Sequence, residues 1–178
     1  MTEKKKILIF CLIGFLFVSI FGALSHFFYE WSGKNKIVGF LFPANESTWE
    51  HLKLAIFPTL LFFFAGLFIF KNSNYMFAFF ITLLTPIVLI PLIFYAYTAF
   101  TESSILFVDI LTYFVSVFFS FYFCYIILCH EPLGKVANIF FIIGITIILI
   151  CYFLFTLYPP KIFLFKDAVT GGYGLKIK

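Results

Sequence analysis

Five long apolar runs decide what this chain can fold into. Ile7–Leu24, Tyr75–Phe100 and Val136–Leu157 carry no charge at all. The run from Leu52 to Phe70 carries only Lys53, and the run from Ile105 to Cys129 only Asp109. A helix rising about 1.5 Å per residue needs about 20 apolar residues to cross the hydrocarbon layer of a bilayer. Each run is close to that length or beyond it. The rest of the composition agrees: 63% of residues are hydrophobic and 11% charged, against about 25% charged in soluble domains. Too little polar surface is present to cover a water-facing globule.

The runs predict an all-α polytopic bundle of five transmembrane helices in one domain, residues 1–178. The helices are expected at about 7–29, 47–70, 75–100, 104–129 and 136–157, with a tail at 158–178. The first run is longer than the apolar region of a secretory signal, so a retained helix is expected there. Pro86 and Pro91 should kink or break the third helix. Cys11, Cys124, Cys129 and Cys151 fall in or beside apolar runs without a paired spacing, and read as small buried hydrophobes. All twelve basic residues are lysine. The absence of arginine, the bidentate phosphate binder, argues against nucleic acid as a partner. The lipid bilayer is the partner that the composition demands, and no protein partner is specified.

With five spans, the first loop, the third loop and the tail share one face, which collects most of the polar chemistry. The N-terminus and the second and fourth loops share the other. Lys4, Lys5 and Lys6 precede the first span, which favours a cytoplasmic N-terminus in the cell membrane. The polar face is then extracytoplasmic.

The densest polar segment is Phe42-Pro43-Ala44-Asn45-Glu46-Ser47-Thr48-Trp49-Glu50-His51-Leu52-Lys53. Ser47-Thr48-Trp49-Glu50 fits a capping box, in which Ser47 accepts from the Glu50 N–H and Glu50 reaches back to the Ser47 N–H. Capping explains neither Glu46 nor His51. Glu46 and Glu50 are four apart, where like charges repel on a helix, and Lys53 or a metal ion could lie between them. His26 and Glu30 are also four apart, and share a face if the first helix runs on to Trp31. Pooled, His26, Glu30, Glu46, Glu50 and His51 form a ligand set suited to Zn, Mn or Fe. No recognised metal spacing is present, and a divalent metal is the one cofactor the residues suggest. The plainer reading is an interfacial histidine and solvated acids within an aromatic belt.

Asp109 lies about one turn inside the fourth span, where charge costs about 2.5 kcal/mol or more unless paired or wet. Its candidate partners are His26, His51, Lys53, Tyr97, Thr98 and Tyr113. His26, Glu50, His51 and Asp109 are expected to converge, with Glu50, His51 and Asp109 as candidate catalytic groups. His130-Glu131-Pro132 reads as a helix end on the opposite face. The Gly-rich Asp167–Gly174 tail reads as a turn folded back over the polar face.

Ser25-His26-Phe27-Phe28-Tyr29-Glu30-Trp31, the Asn45–Lys53 segment with its N-E-S-x-W-E-H core, and Asp167-Ala168-Val169-Thr170-Gly171-Gly172-Tyr173-Gly174 together resemble a prokaryotic family of small integral membrane proteins of unknown function. The resemblance spans nearly the whole chain and implies membrane location and a multi-helix fold. It brings no activity, substrate or cofactor.

Three function classes fit these residues. The first is a structural or partner-binding membrane subunit whose polar groups are caps and belts. The second is a membrane-interface enzyme, metal-assisted or carboxylate-based, acting on a lipid-like substrate. The third is a small transporter or channel component built around the proline-interrupted third span and Asp109.

Overall fold

The computed structural model describes residues 1–175; the final three residues of the predicted tail lie outside the described residues. In chain order the helices are α1 (Glu3–Ser25), α2 (Phe28–Trp31), α3 (Lys36–Leu41), α4 (Thr48–Ile69), α5 (Tyr75–Thr101), α6 (Leu106–Leu128) and α7 (Lys135–Leu157), followed by a 3-10 turn at Phe163–Phe165. Among the described residues there is no strand, only an isolated bridge between Lys166 and Tyr173. α1, α4, α5, α6 and α7 are each long and apolar enough to cross a membrane, and they match the five predicted spans.

These sequences are apolar around the whole helix, so lipid replaces water at the outer surface and helices close every backbone hydrogen bond internally. Phe68, at 88% exposed, and Phe100, at 89%, face outward. α4 is the most enclosed span and α7 the least. α5 packs most extensively on α6, α1 packs on α4 and α6, and α7 leans on α5.

Small residues let α1 sit close. It buries Cys11, Gly14, Val18, Ser19, Gly22 and Ser25, the kind of surface that brings membrane helices together. Cys11 and Cys124 face each other with sulfurs 3.7 Å apart. All four cysteines are free.

Proline is handled without breaking a helix. α5 stays continuous through Pro86 and Pro91, and α4 through Pro58. The break expected in the third span does not occur. Pro58 lacks the N–H that would bond the carbonyl of Leu54. The Tyr113 hydroxyl of α6 approaches that carbonyl at 3.4 Å while donating to the Val18 carbonyl at 2.7 Å. Gly22 leaves the room: a Cβ there would lie 2.0 Å from the Tyr113 hydroxyl and 2.2 Å from the Leu54 carbonyl oxygen.

The two ends of the bundle follow the predicted sidedness. On one, the buried Asn74 amide donates to the carbonyls of Ile127, His130 and Glu131 and accepts from the Leu133 N–H, tying the second loop to the fourth. On the other, Asn45 donates to the Gly174 carbonyl at 3.2 Å, tying the first loop to the tail. Trp49 packs against Phe155 and Phe165, and Tyr95 against Phe163.

Candidate metal site at the polar face

The site begins where α1 stops. The helix ends at Ser25, a turn follows, and α2 restarts at Phe28. His26 therefore leaves the helical register that would have aligned it with Glu30. Glu30 turns to Lys34 instead, at 3.4 Å, with both side chains about two-thirds exposed.

Twenty-one positions after His26, Ser47 caps the start of α4. The Ser47 hydroxyl accepts from the Glu50 N–H at 3.3 Å, as the capping box predicts. The return bond is different. The Ser47 N–H is taken by Asn45 Oδ1 at 2.9 Å, and Glu50 Oε2 accepts from the Ala44 N–H at 2.8 Å. Glu50 Oε1 pairs with Lys53 Nζ at 2.9 Å, and Lys53 also donates to the Gly39 carbonyl at 3.1 Å. Glu50 and Lys53 are 2% and 1% exposed. Both oxygens of Glu50 are engaged in holding the first loop, away from the histidines.

Three of the predicted ligands do meet. His26 Nε2 lies 3.3 Å from His51 Nε2, His51 Nε2 lies 3.3 Å from Glu46 Oε2, and His26 Nε2 lies 3.9 Å from Glu46 Oε2. A triangle with those sides has one in-plane point about 2.0 Å from every corner, within the range of Zn–N and Zn–O bonds. His51 Nδ1 sits 2.9 Å from the Ser47 carbonyl oxygen. The carbonyl can only accept, so Nδ1 carries a proton and Nε2 faces the triangle, where it donates to the Glu46 carboxylate when protonated and offers a lone pair when neutral. Two ring nitrogens and a carboxylate oxygen face one another, and a proton or a cation stands between them. The three side chains are 35%, 47% and 32% exposed, so the triangle opens outward.

Electrostatics keep the outer members available. Burial and the neighbouring His51 hold the His26 imidazole below its ordinary value, against the pull of Glu46. The hydrogen bond from His51 holds the Glu46 carboxyl below its usual range, although burial pushes the other way.

Asp167, absent from the predicted ligand set, supports the site from the tail. It is 6% exposed. Its carboxylate accepts from the Val169 N–H at 3.0 Å and from the Thr170 hydroxyl. Burial alone would raise its pKa, but those donors and the Glu46 N–H outweigh it and hold the carboxyl low. The D-x-x-T spacing is the sequence signal of this turn. Asp109 accepts from the Tyr97 hydroxyl, which itself accepts from the Ile105 N–H at 3.0 Å, and it lies close enough for its charge to act on His51. The His130 ring lies 3.2 Å from the neighbouring Glu131 carbonyl, on the opposite end of the bundle. The Gly-rich tail is a turn, with Gly171 and Gly174 at φ +68° and +64°.

No curated protein matches the chain. No solved structure matches it either. Family comparison matches residues 1–175 to a family of unknown function, DUF6512. With five helices fit to cross a membrane and a match over nearly its whole length, the chain belongs to DUF6512 as a multi-pass membrane protein.

Proposed function

We propose that this protein is a membrane-interface hydrolase that works with one divalent metal ion, Zn²⁺ by ligand type, held by His26, Glu46 and His51. The observation that carries the reading is the convergence of three ligand atoms within 4.8 Å of one another, with His51 oriented by the Ser47 carbonyl. Structural zinc sites are closed by four protein ligands, whereas catalytic ones use three and leave a position for water or substrate. Two histidines and one glutamate belong to the second pattern. Asp167, whose charge also acts on Glu46, is occupied by its own turn. An ion so held acts as a Lewis acid and brings the pKa of a water to about 7. Glu46 and the two imidazoles orient it, and the Ser47 carbonyl fixes the His51 tautomer.

The transporter reading has less support. Of Thr82, Thr85, Ser116 and Ser120, which would line a path beyond Asp109, all but Ser116 bond back to helix carbonyls, those of Ala78, Ile81 and Ser116. A cell-membrane location with a cytoplasmic N-terminus, supported by Lys4–Lys6, puts the site on the extracytoplasmic side; reporter fusions at either end test that orientation.

The deciding experiment is elemental analysis of detergent-purified protein beside Glu46→Gln and His51→Ala. About one zinc per chain, lost in both variants, is expected. Metal-free protein after growth and purification with zinc present would overturn the proposal, leaving a structural or partner-binding role.

A further inference from the structure

Beside the metal site lies a cleft of about 490 Å³, whose lining includes Glu30, Lys34, Lys36, Asn45 and Thr170. That volume suits a small-molecule headgroup. Each wall continues a segment that builds the metal site. Asn45 precedes Glu46, α2 begins two residues after His26, and Thr170 bonds the Asp167 that supports Glu46.

We propose that this cleft is the headgroup subsite for a phospholipid carrying both a phosphate and a primary ammonium. Exposed apolar side chains in the segments that carry Glu30 and Lys34 explain why the ligand is a lipid. Phe27, Trp31 and Ile37 are 51%, 67% and 74% exposed on the α2–α3 segment. Large apolar side chains at a membrane border settle between headgroups and acyl chains. A molecule entering from there brings a polar head and a hydrocarbon tail.

The charges explain which head. The cleft offers cations and a carboxylate together. Lys34 and Glu30 pair across 3.4 Å with both side chains about two-thirds exposed, and such pairs contribute little in water. A zwitterionic head can exchange that internal pair for two external ones. Its phosphate accepts from Lys34, and its ammonium donates to Glu30. Asp167 does not compete, because its oxygens are held by the tail. A quaternary ammonium has no N–H to donate to Glu30 and binds best over open aromatic faces. The Tyr29 ring, one of the cleft's two aromatic walls, is laid against Gly39, within 2.7 Å of where a Cβ would stand. A purely anionic head meets Glu30 without compensation.

On the hydrolase reading, the cleft presents an ester of this lipid to the metal site. Water's hydroxyl joins the acyl carbon, the ester C–O bond breaks, and the alcohol oxygen takes the remaining proton. That catalytic meaning rests on the metal proposal; the binding claim does not, and the test separates them. Chelator-treated protein in detergent is mixed with equimolar phosphatidylethanolamine, phosphatidylcholine and phosphatidylglycerol, and retained lipid is read by native mass spectrometry. Phosphatidylethanolamine should be retained about tenfold over each of the others, the size of one charge-assisted contact. Glu30→Gln should abolish its advantage over phosphatidylglycerol, and Lys34→Gln should weaken retention of both. Both side chains are exposed, so folding and zinc content stay at wild-type values. Equal retention of the three lipids, preference for either competitor, or an unchanged preference in Glu30→Gln would overturn the assignment, whatever the metal analysis gives.

Discussion

His26 and His51 face each other Nε2 to Nε2 across 3.3 Å, and the Glu46 carboxylate closes the triangle. Protons and metal compete for the same lone pairs. His26 is held below the ordinary imidazole value of about 6.5, so near neutral pH it offers a free lone pair. Zinc affinity should fall by about one order of magnitude per unit as each imidazole protonates. In the apoprotein, His26 and Glu46 contribute with the same sign. A depressed histidine and a depressed carboxyl both contribute stability that is present above their unfolded values and lost on acidification. For His26 the loss begins near pH 6.5, and for Glu46 it begins near the ordinary glutamate value of about 4.3. Zinc titrations and melting curves in detergent between pH 8 and pH 4 check both. An affinity that rises on acidification would contradict the ligand assignment.

The Glu50–Lys53 pair is a different matter, because both partners are buried. Lys53→Met leaves Glu50 charged and without its cation, which should cost about 3–5 kcal/mol. Glu50→Gln combined with Lys53→Met should recover part of that loss, since no lone charge remains. Thermal unfolding of the two variants is the measurement. A double variant less stable than Lys53→Met would show that the carboxylate acts mainly through the Ala44 N–H.

Gly22 and Tyr113 should prove non-additive. Gly22→Ala drives a methyl group to 2.0 Å from the Tyr113 hydroxyl and 2.2 Å from the Leu54 oxygen. Backbone must then move, and a cost of about 3 kcal/mol or more is expected, the upper range of overpacking. Tyr113→Phe removes the hydroxyl near the carbonyl that Pro58 orphans and should cost about 1–3 kcal/mol. The pair together should cost less than the sum, because the phenylalanine relieves one clash. A double-mutant cycle on melting temperature reads the difference.

The five spans were legible because their signal is length and uniform apolarity, which no tertiary contact overrides in a bilayer. Half of the capping box was legible too, since Ser47 needs only local geometry to reach the Glu50 N–H. The site was harder. The spacing of His26 and Glu30 implied a shared helical face, but the helix ends at Ser25 and the pair separates. The repulsion between Glu46 and Glu50 is resolved by turning one to the histidines and the other to Lys53. That choice depends on where Gly39 and Ala44 lie, and α3, which carries Gly39, is too short to show a period. Asp167 was legible as a turn residue but not as a support for Glu46, because its partner lies more than a hundred positions away.

That distance has a consequence for how the protein is made. All three candidate ligands are synthesised within the first 51 residues, yet the contacts that steady their loop come from Asp167 and Gly174. Four further crossings, α4, α5, α6 and α7, must enter the membrane before those contacts exist. Metal loading would therefore follow insertion of the whole bundle, and a chain cut after Leu157 should bind zinc more weakly than the full chain while still inserting. The order of synthesis would keep an incompletely inserted molecule from carrying an active centre.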